Sequence, residues 1–411
     1  MRSSKRTSDP GPWLPAGADL DGLVRRGWRP LPFTQFVLKV HGRCNLDCDY
    51  CYVYRSADQS WRTRPAAMTE DVITTAVRRI AEHAARHALP SVHLVLHGGE
   101  PLLSGRAMIA HLAQEADRRI APVARVAIGV QSNGLLIDEA FLELFHRWDI
   151  KVGISLDGIP ADHDRHRVHR QGTGSHRRLT EKLSLLTRPA HRHLFSGLLC
   201  TVDLRNDPVE TYEHLVGYGP PAVDFLLPHG NWTTPPPGRT PSPTETPYAD
   251  WLLTVFDHWY DSPERRTGIR LFEDVITLLL GGAARSESVG LSPCRLLVIE
   301  TDGSMELVDS LKSAYPGAAR LGLDVRGHPL DRALAHDGVV ARQIGAAALS
   351  DACRACPVHR VCGGGHVAHR YRAGTGFLNP SVYCADLRKI VEHVHARLRS
   401  DLGGAVPGPL P

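Results

Sequence analysis

From residue 33 onward, short runs of β-branched and aliphatic residues alternate with longer stretches in which apolar residues recur every three to four positions. The short runs predict strands over 33–40, 91–97, 125–131, 151–156, 197–202 and 223–227. The periodic stretches predict helices over 69–87, 106–119, 138–148, 175–186 and 209–216. Strands that alternate with helices imply right-handed crossovers and a parallel α/β sheet, either open and doubly wound or curved into a partial barrel. Both architectures place functional loops at the carboxyl ends of the strands. Cys44, the Gly98 to Pro101 turn, the Ser132 to Gly134 turn and Asp157-Gly158 all fall at such ends.

The flanking segments read differently. Residues 1–32 carry Pro10, Pro12, Pro15, Pro30 and Pro32 and predict a loose leader lying over a larger body, which occupies 33–228. A proline-rich interval over 228–247 breaks the alternation, so 229–287 reads as a linker with helices over 248–260 and 271–280. The segment 288–400 holds five of the nine cysteines, ends in a predicted helix over 381–398, and reads as a small module organised by metal. Residues 401–411 are expected to be a disordered tail.

Composition narrows the classes. The chain has 411 residues, and at about 150 per domain this allows two or three modules. Hydrophobic residues at 42% and charged residues at 22% exclude wholesale disorder. A net charge of +4 is too dilute to make nucleic acid the default partner. No apolar run of about 18 residues predicts a membrane span, and the basic, polar start is not followed by the apolar stretch of a secretory signal. The expected location is therefore the cytoplasm, where nine cysteines serve as metal ligands, reactive thiols or core residues more often than as disulfides.

Cys44, Cys48 and Cys51 form C-x3-C-x2-C. Such spacing also suits a helix face, but Gly42, Asn45, Asp47 and Asp49 favour a turning loop. Three thiolates on one short loop can hold three irons of a cubane 4Fe-4S cluster. The fourth iron then has no protein ligand, and an open position is what a catalytic centre keeps.

With Tyr50 and Tyr52 flanking Cys51, this segment resembles the signature of radical S-adenosylmethionine (radical SAM) enzymes. Gly98-Gly99-Glu100-Pro101 resembles that family's GGEP segment, where backbone groups and a carboxylate meet the ammonium group of S-adenosylmethionine. Gln131-Ser132-Asn133-Gly134 resembles the third-strand cofactor region. Ser155-Leu156-Asp157-Gly158 and His163-Asp164-Arg165-His166-Arg167 resemble the SxDG and HDxxR stretch, so Ser155 and Arg167 are expected at polar parts of the cofactor. The resemblance covers about 33–227 and implies a partial (β/α)6 barrel. It also implies that a reduced cluster cleaves S-adenosylmethionine to a 5'-deoxyadenosyl radical.

Cys353, Cys356, Cys362 and Cys384 give C-x2-C-x5-C and a distant fourth thiol. Tetrahedral zinc uses the same element. Together with Cys294 and the turn Asp302-Gly303, however, the run resembles the SPASM extension of radical SAM enzymes, which carries auxiliary 4Fe-4S clusters and acts on peptides or proteins. The resemblance implies one fully ligated auxiliary cluster on these four cysteines. Two thiolates of a further one are replaced by Val308 and His366. Cys294 is left as a substrate contact or a ligand to an unusual cluster with His366, and Cys200 is expected to be buried and inert. Asp309, next to the replaced position, is the candidate general base.

The run from Cys362 to Tyr371, with His366, His369 and Arg370, looks similar to the FxsB-like group. Those maturases form cyclophanes by joining an aromatic ring to a nearby side-chain carbon of a ribosomal precursor peptide. The alternatives are an anaerobic sulfatase-maturating, formylglycine-forming enzyme, a thioether-forming or epimerising one, and a noncatalytic zinc-binding adaptor. The expected partners are a precursor peptide, an external donor such as flavodoxin or ferredoxin, and a peptide-recognition element at the barrel rim or on a separate protein. Neither nucleic acid nor membrane is expected. The basic stretch 165–178 and Trp232, Trp251 and Trp259 are candidate peptide contacts.

Overall fold

The computed structural model describes residues 11–16, 18–239 and 244–402. Its six leading strands are β1 (Gln35–His41), β2 (Ser91–Gly98), β3 (Arg125–Ser132), β4 (Lys151–Ser155), β5 (Phe195–Thr201) and β6 (Ala222–Leu226). They pair in parallel and in chain order. The helices Glu70–Arg86, Arg106–Arg119, Glu139–Arg147, His176–Leu186 and Pro208–Val216 connect them, each within two residues of its predicted start. Local chemistry fixes several of these starts: Thr69, Asp138 and Asp207 each accept a backbone N–H from the first turn of the helix they precede.

Four further strands extend the sheet. β7 (Gly268–Ile269) pairs with β6, and β8 (Leu296–Ile299), β9 (Ser304–Glu306) and β10 (Arg320–Asp324) lie on the other side. The order is β10-β9-β8-β1-β2-β3-β4-β5-β6-β7, one ten-stranded sheet. β8 runs parallel to β1 with Gln35 opposite Leu296 and Leu38 opposite Ile299. The C-terminal segment thus shares a backbone ladder with the first strand of the barrel. These short strands lack the length that makes a periodic signal visible in sequence.

The described part of the leader packs on residues of the 288–400 segment. Its helix Leu20–Arg25 and Trp28 cover Val340, Ile344 and Ala348, and Trp13 stacks on Phe377 with ring centroids 4.0 Å apart. Gln343 clamps the leader from both sides, accepting the Leu31 N–H at 2.8 Å and donating to its carbonyl at 3.0 Å. The C-terminal helix runs Cys384–Leu402, and the rest of the predicted tail, 403–411, lies outside the described residues. No described helix is long and apolar enough to cross a membrane.

The register decides which side chains face the barrel interior. Partners across a parallel pair point to the same face, and residues two apart along a strand share it. Lys39 pairs with His97, Gln131 with Gly153, Ser155 with Leu199, and Thr201 with Leu226. That face is polar at Gln35, Lys39, His97, Gln131, Ser155 and Asp224, whereas Phe36, Leu38, Leu94, Leu96, Val130 and Ile154 are buried on the opposite face.

Candidate active site

Two cavities open along that polar face. An inner one of ≈ 270 Å³ is lined by the cysteine loop, His97, Gly98, Gly99, Gln131, Asn133, Ser155, Asp157 and Arg167. A larger one of ≈ 550 Å³ is lined by Gln35, Asp224, Glu287, Cys294, Asp309, His366 and His369. Tyr52, Leu226, Leu227 and His229 line both and form their common wall.

Cys44, Cys48 and Cys51 all line the inner cavity. The loop is a chain of turns: the Cys51 N–H donates to the Cys48 carbonyl at 3.3 Å and the Arg55 N–H to the Cys51 carbonyl at 2.8 Å. Arg43 straps it from beneath, donating to the carbonyls of Gly42, Trp61 and Arg64 at 3.0, 2.9 and 3.1 Å. Burial pushes the Cys44 thiol up to about 12 and the Cys48 thiol up to about 11. Three such thiols need a strongly positive group to exist as thiolates, so the donor set suits an iron-sulfur cluster and makes an ordinary reactive-thiol role unfavourable.

The glycine turn is built for close approach. A Cβ on Gly98 would fall 2.0 Å from the His41 carbonyl oxygen, and one on Gly99 would fall 1.8 Å from Tyr54 Oη and 2.5 Å from the Arg43 carbonyl oxygen. Glu100 does not face the cavity. It is fully buried, and its carboxylate accepts the Leu102 N–H at 3.0 Å, the Ser132 hydroxyl at 2.8 Å and the Asn133 N–H at 2.8 Å. In this structure the carboxylate braces two loops, and the motif lines the cavity with Gly98 and Gly99.

The remaining predicted cofactor residues converge. Gln131 donates to the Ser155 hydroxyl at 3.1 Å, and Asn133 Nδ2 donates to Asn45 Oδ1 at 2.8 Å, which ties the third-strand loop to the cysteine loop. Arg167 donates to the Tyr50 hydroxyl at 2.7 Å, and Tyr50 donates to Asp157. His163, one of the buried residues whose role the sequence left open, holds this corner. Its Nδ1 accepts the Asp157 N–H at 3.2 Å, its Nε2 faces the Ser175 hydroxyl at 3.0 Å, and that hydroxyl donates to the Arg167 carbonyl at 2.5 Å.

Asp309 sits at the common wall with Lys39 Nζ 2.5 Å from its Oδ2 and the Tyr52 hydroxyl donating at 3.1 Å. The buried Lys39 ammonium, seconded by His97 and Lys312, holds this carboxyl far below the usual carboxylate range. Sequence reasoning named Asp309 but missed Lys39 and His97. Their signal was present: each is a polar residue that interrupts an apolar run at an inward position near the carboxyl end of its strand.

Cys353, Cys356, Cys362 and Cys384 line one cavity of ≈ 330 Å³ on the far side of the C-terminal segment, a set that suits a fully ligated cluster. Cys294 is elsewhere. It lines the larger cavity, where Arg342 donates to its Sγ at 2.7 Å and its Sγ donates to Glu287 at 2.8 Å. His366 lines the same cavity. Cys200 is buried on β5. Trp251 and Trp259 belong to the core and so do not line a groove, while Trp232 donates to the Pro380 carbonyl at 2.7 Å. In the basic stretch, Arg165 is spent on Asp162, Asp203 and Asn206.

Residues 38–191 match the radical SAM superfamily. Over 282 residues the chain is 26% identical to the cysteine-type anaerobic sulfatase-maturating enzyme of Clostridium novyi, covering 66% of this chain and 72% of the relative. Over 363 residues it is 26% identical to the serine-type enzyme of Klebsiella aerogenes, covering 86% and 84%. Native anSMEcpe with bound AdoMet shares the fold at a TM-score of 0.77 and 21% identity, over 90% of this chain and 99% of that one. SuiB of Streptococcus suis bound to precursor peptide SuiA aligns at 0.57 and 12% identity, over 89% and 78%. Residues 38–191 are thus a radical SAM superfamily domain, and the chain that carries it is an enzyme that works with a 4Fe-4S cluster and S-adenosylmethionine.

Proposed function

We propose that this enzyme modifies a side chain of a peptide or protein substrate by hydrogen abstraction, with the cofactors in the inner cavity and the substrate in the larger one. The observation that carries this reading is the common wall of Tyr52, Leu226, Leu227 and His229, which sets the two cavities side by side with only these side chains between them. Relatives whose names or structures involve peptide and sulfatase substrates support it: anSMEcpe has been solved with the Cp18Cys peptide as well as AdoMet.

When bound, the cluster and S-adenosylmethionine supply a 5'-deoxyadenosyl radical that removes a hydrogen atom from an sp3 carbon. In this reading Cys44, Cys48 and Cys51 hold the cluster. The Gly98-Gly99 backbone, Gln131, Asn133 and Ser155 receive the polar parts of the cofactor, while Tyr50 and Arg167 close its side of the cavity. Asp309 Oδ2 receives the proton lost as the substrate is oxidised. Its tie to Lys39 makes it a weak base, so proton uptake is coupled to separation of that pair. Cys353, Cys356, Cys362 and Cys384 would hold an auxiliary 4Fe-4S cluster able to accept the electron given up by the substrate, and a flavodoxin- or ferredoxin-type donor would supply the separate electron that cleavage of S-adenosylmethionine consumes.

The sulfatase-maturating relatives favour oxidation of a cysteine or serine side chain to an aldehyde. A second reading, the aromatic-to-aliphatic carbon bond of a cyclophane, is favoured by Val308 and His366, which stand where a further auxiliary cluster would place thiolates. Anoxic incubation with a cysteine- or serine-bearing sulfatase peptide, and with an aromatic-rich precursor peptide, distinguishes them by mass spectrometry. A product captured by a hydrazide supports the aldehyde. Loss of two hydrogens without capture, and without fragmentation between an aromatic residue and its neighbour, supports the crosslink. Cleavage of S-adenosylmethionine with both peptides unchanged would exclude either.

A further inference from the structure

The larger cavity contains a second set of potential ligands that the chemistry above does not use. His229, His366 and His369 each place one ring nitrogen within 4.8 Å of the other two. We propose that these three histidines hold a single divalent cation of the zinc type, with a fourth coordination position open to the larger cavity for water or a carbonyl oxygen of the substrate.

The local fold makes the convergence a consequence of sequence. Gly363, Gly364 and Gly365 all adopt left-handed backbone, with φ of 62°, 75° and 67°, and so turn the chain sharply after Cys362. Arg370 fastens that turn, donating to the Gly363 and Gly365 carbonyls at 2.6 Å each and to the Gly364 carbonyl at 3.0 Å. The next residues form a single tight turn, Val367–Arg370, preceded by His366. In a turn of three residues, positions i and i+3 lie on the same side, which brings His366 and His369 together. Ring centroids of this pair are 5.1 Å apart. His229 comes from the opposite direction, just beyond β6, and its ring lies 5.6 Å from His366 and 5.4 Å from His369.

The spacing of one pair fits a shared ion as well as a hydrogen bond. His229 Nδ1 and His369 Nε2 are 3.3 Å apart. Two nitrogens bound to zinc at about 2.0–2.1 Å in tetrahedral geometry are separated by about 3.3 Å. Three neutral imidazoles plus an open position is a donor set that zinc takes in catalytic centres. The contrast with His83, His87 and Asp331 is instructive. There both imidazoles already contact the same Asp331 Oδ1, at 2.8 and 2.7 Å, and Arg86 lies 3.1 Å from the other oxygen, so that cluster is satisfied as an ion-paired clip.

The test uses the full chain with its iron-sulfur clusters reconstituted, exposed to micromolar Zn2+ and then desalted. Metal analysis should find one zinc per chain at unchanged iron and sulfide. X-ray absorption at the zinc edge should show imidazole nitrogen and one oxygen, with no sulfur. His369→Gln should lower zinc to below roughly a tenth of the wild-type content while iron and sulfide stay constant. His229→Gln, from the other segment of the chain, serves as the second variant if His369→Gln does not fold. Wild-type protein that retains no zinc, sulfur scattering that places the ion among the cysteines, or zinc retained by folded variants would overturn the assignment.

Discussion

At the scale of single residues, the pair Lys39 and Asp309 sets the character of the site. Both are buried, so removing one partner leaves a charge without compensation, at a cost of about 3–5 kcal/mol. Lys39→Met should therefore lower unfolding stability by that order and bring the Asp309 pKa back up toward the ordinary carboxylate range. Replacing both, as Lys39→Met with Asp309→Leu, should cost clearly less than the sum of the single changes in thermal unfolding of cluster-loaded protein. Additive losses would mean that the two charges are not coupled. Asp309 itself was legible in sequence through its place beside a replaced cysteine. Lys39, 270 positions away in the chain, was not, because a pair across two segments becomes visible only once β1 and the turn Asp309–Ser313 are packed together.

Among the elements, the segment from β4 to the helix His176–Leu186, which includes the short helix Pro160–His166, carries its own pH sensitivity. His163 is buried, and burial together with the nearby Arg167 lowers its pKa to about 2. In the unfolded chain it titrates near 6.5. Below that pH the unfolded state takes up a proton that the folded state refuses, so stability is full above about pH 6.5 and falls as the solution is acidified. Between about pH 7 and about pH 5 the contribution is about 2 kcal/mol. The Gln variant keeps an acceptor for Asp157 and a donor for Ser175 without titrating, so the gap in stability between wild type and His163→Gln should shift by that amount over this range. A constant gap would show that His163 takes up its proton in the folded state as well. At the β2 turn, Gly99→Ala forces a Cβ against Tyr54 Oη and the Arg43 carbonyl oxygen, and only the former can swing aside. It should reduce S-adenosylmethionine affinity at least tenfold, read by equilibrium dialysis, while iron content is kept. The strands and long helices of the barrel were legible because their periodicity extends over many residues. The three strands after residue 295 were not, since runs of three to five residues carry no period and owe their form to the ladder with β1.

Across the whole molecule, the two cysteine sets occupy separate cavities, lined by residues of different segments. Changing Cys44, Cys48 and Cys51 together to Ala should abolish cleavage of S-adenosylmethionine and halve the iron bound by reconstituted protein. The iron that remains should vanish when Cys353 and Cys356 are also changed. Loss of all iron on the first change alone would show that the sets are not independent. Sequence named all seven of these cysteines as candidates, six through spacing, which is a local property of the chain, and Cys384 through the family resemblance. It did not reveal the meeting of His229 with His366 and His369, which depends on how the end of β6 faces the C-terminal segment.

The ladder between β8 and β1 makes the catalytic half dependent on the C-terminal segment. A chain cut after residue 287 would bare a row of unpaired amide and carbonyl groups along the strand that leads into the cysteine loop, and would strip Lys39 of its counter-ion. Such a fragment should self-associate, visible as a rise in light scattering at concentrations where the intact chain stays clear. A minimal radical SAM barrel cannot be excised from this protein by trimming; its exposed margin would first have to be blunted with charge or proline.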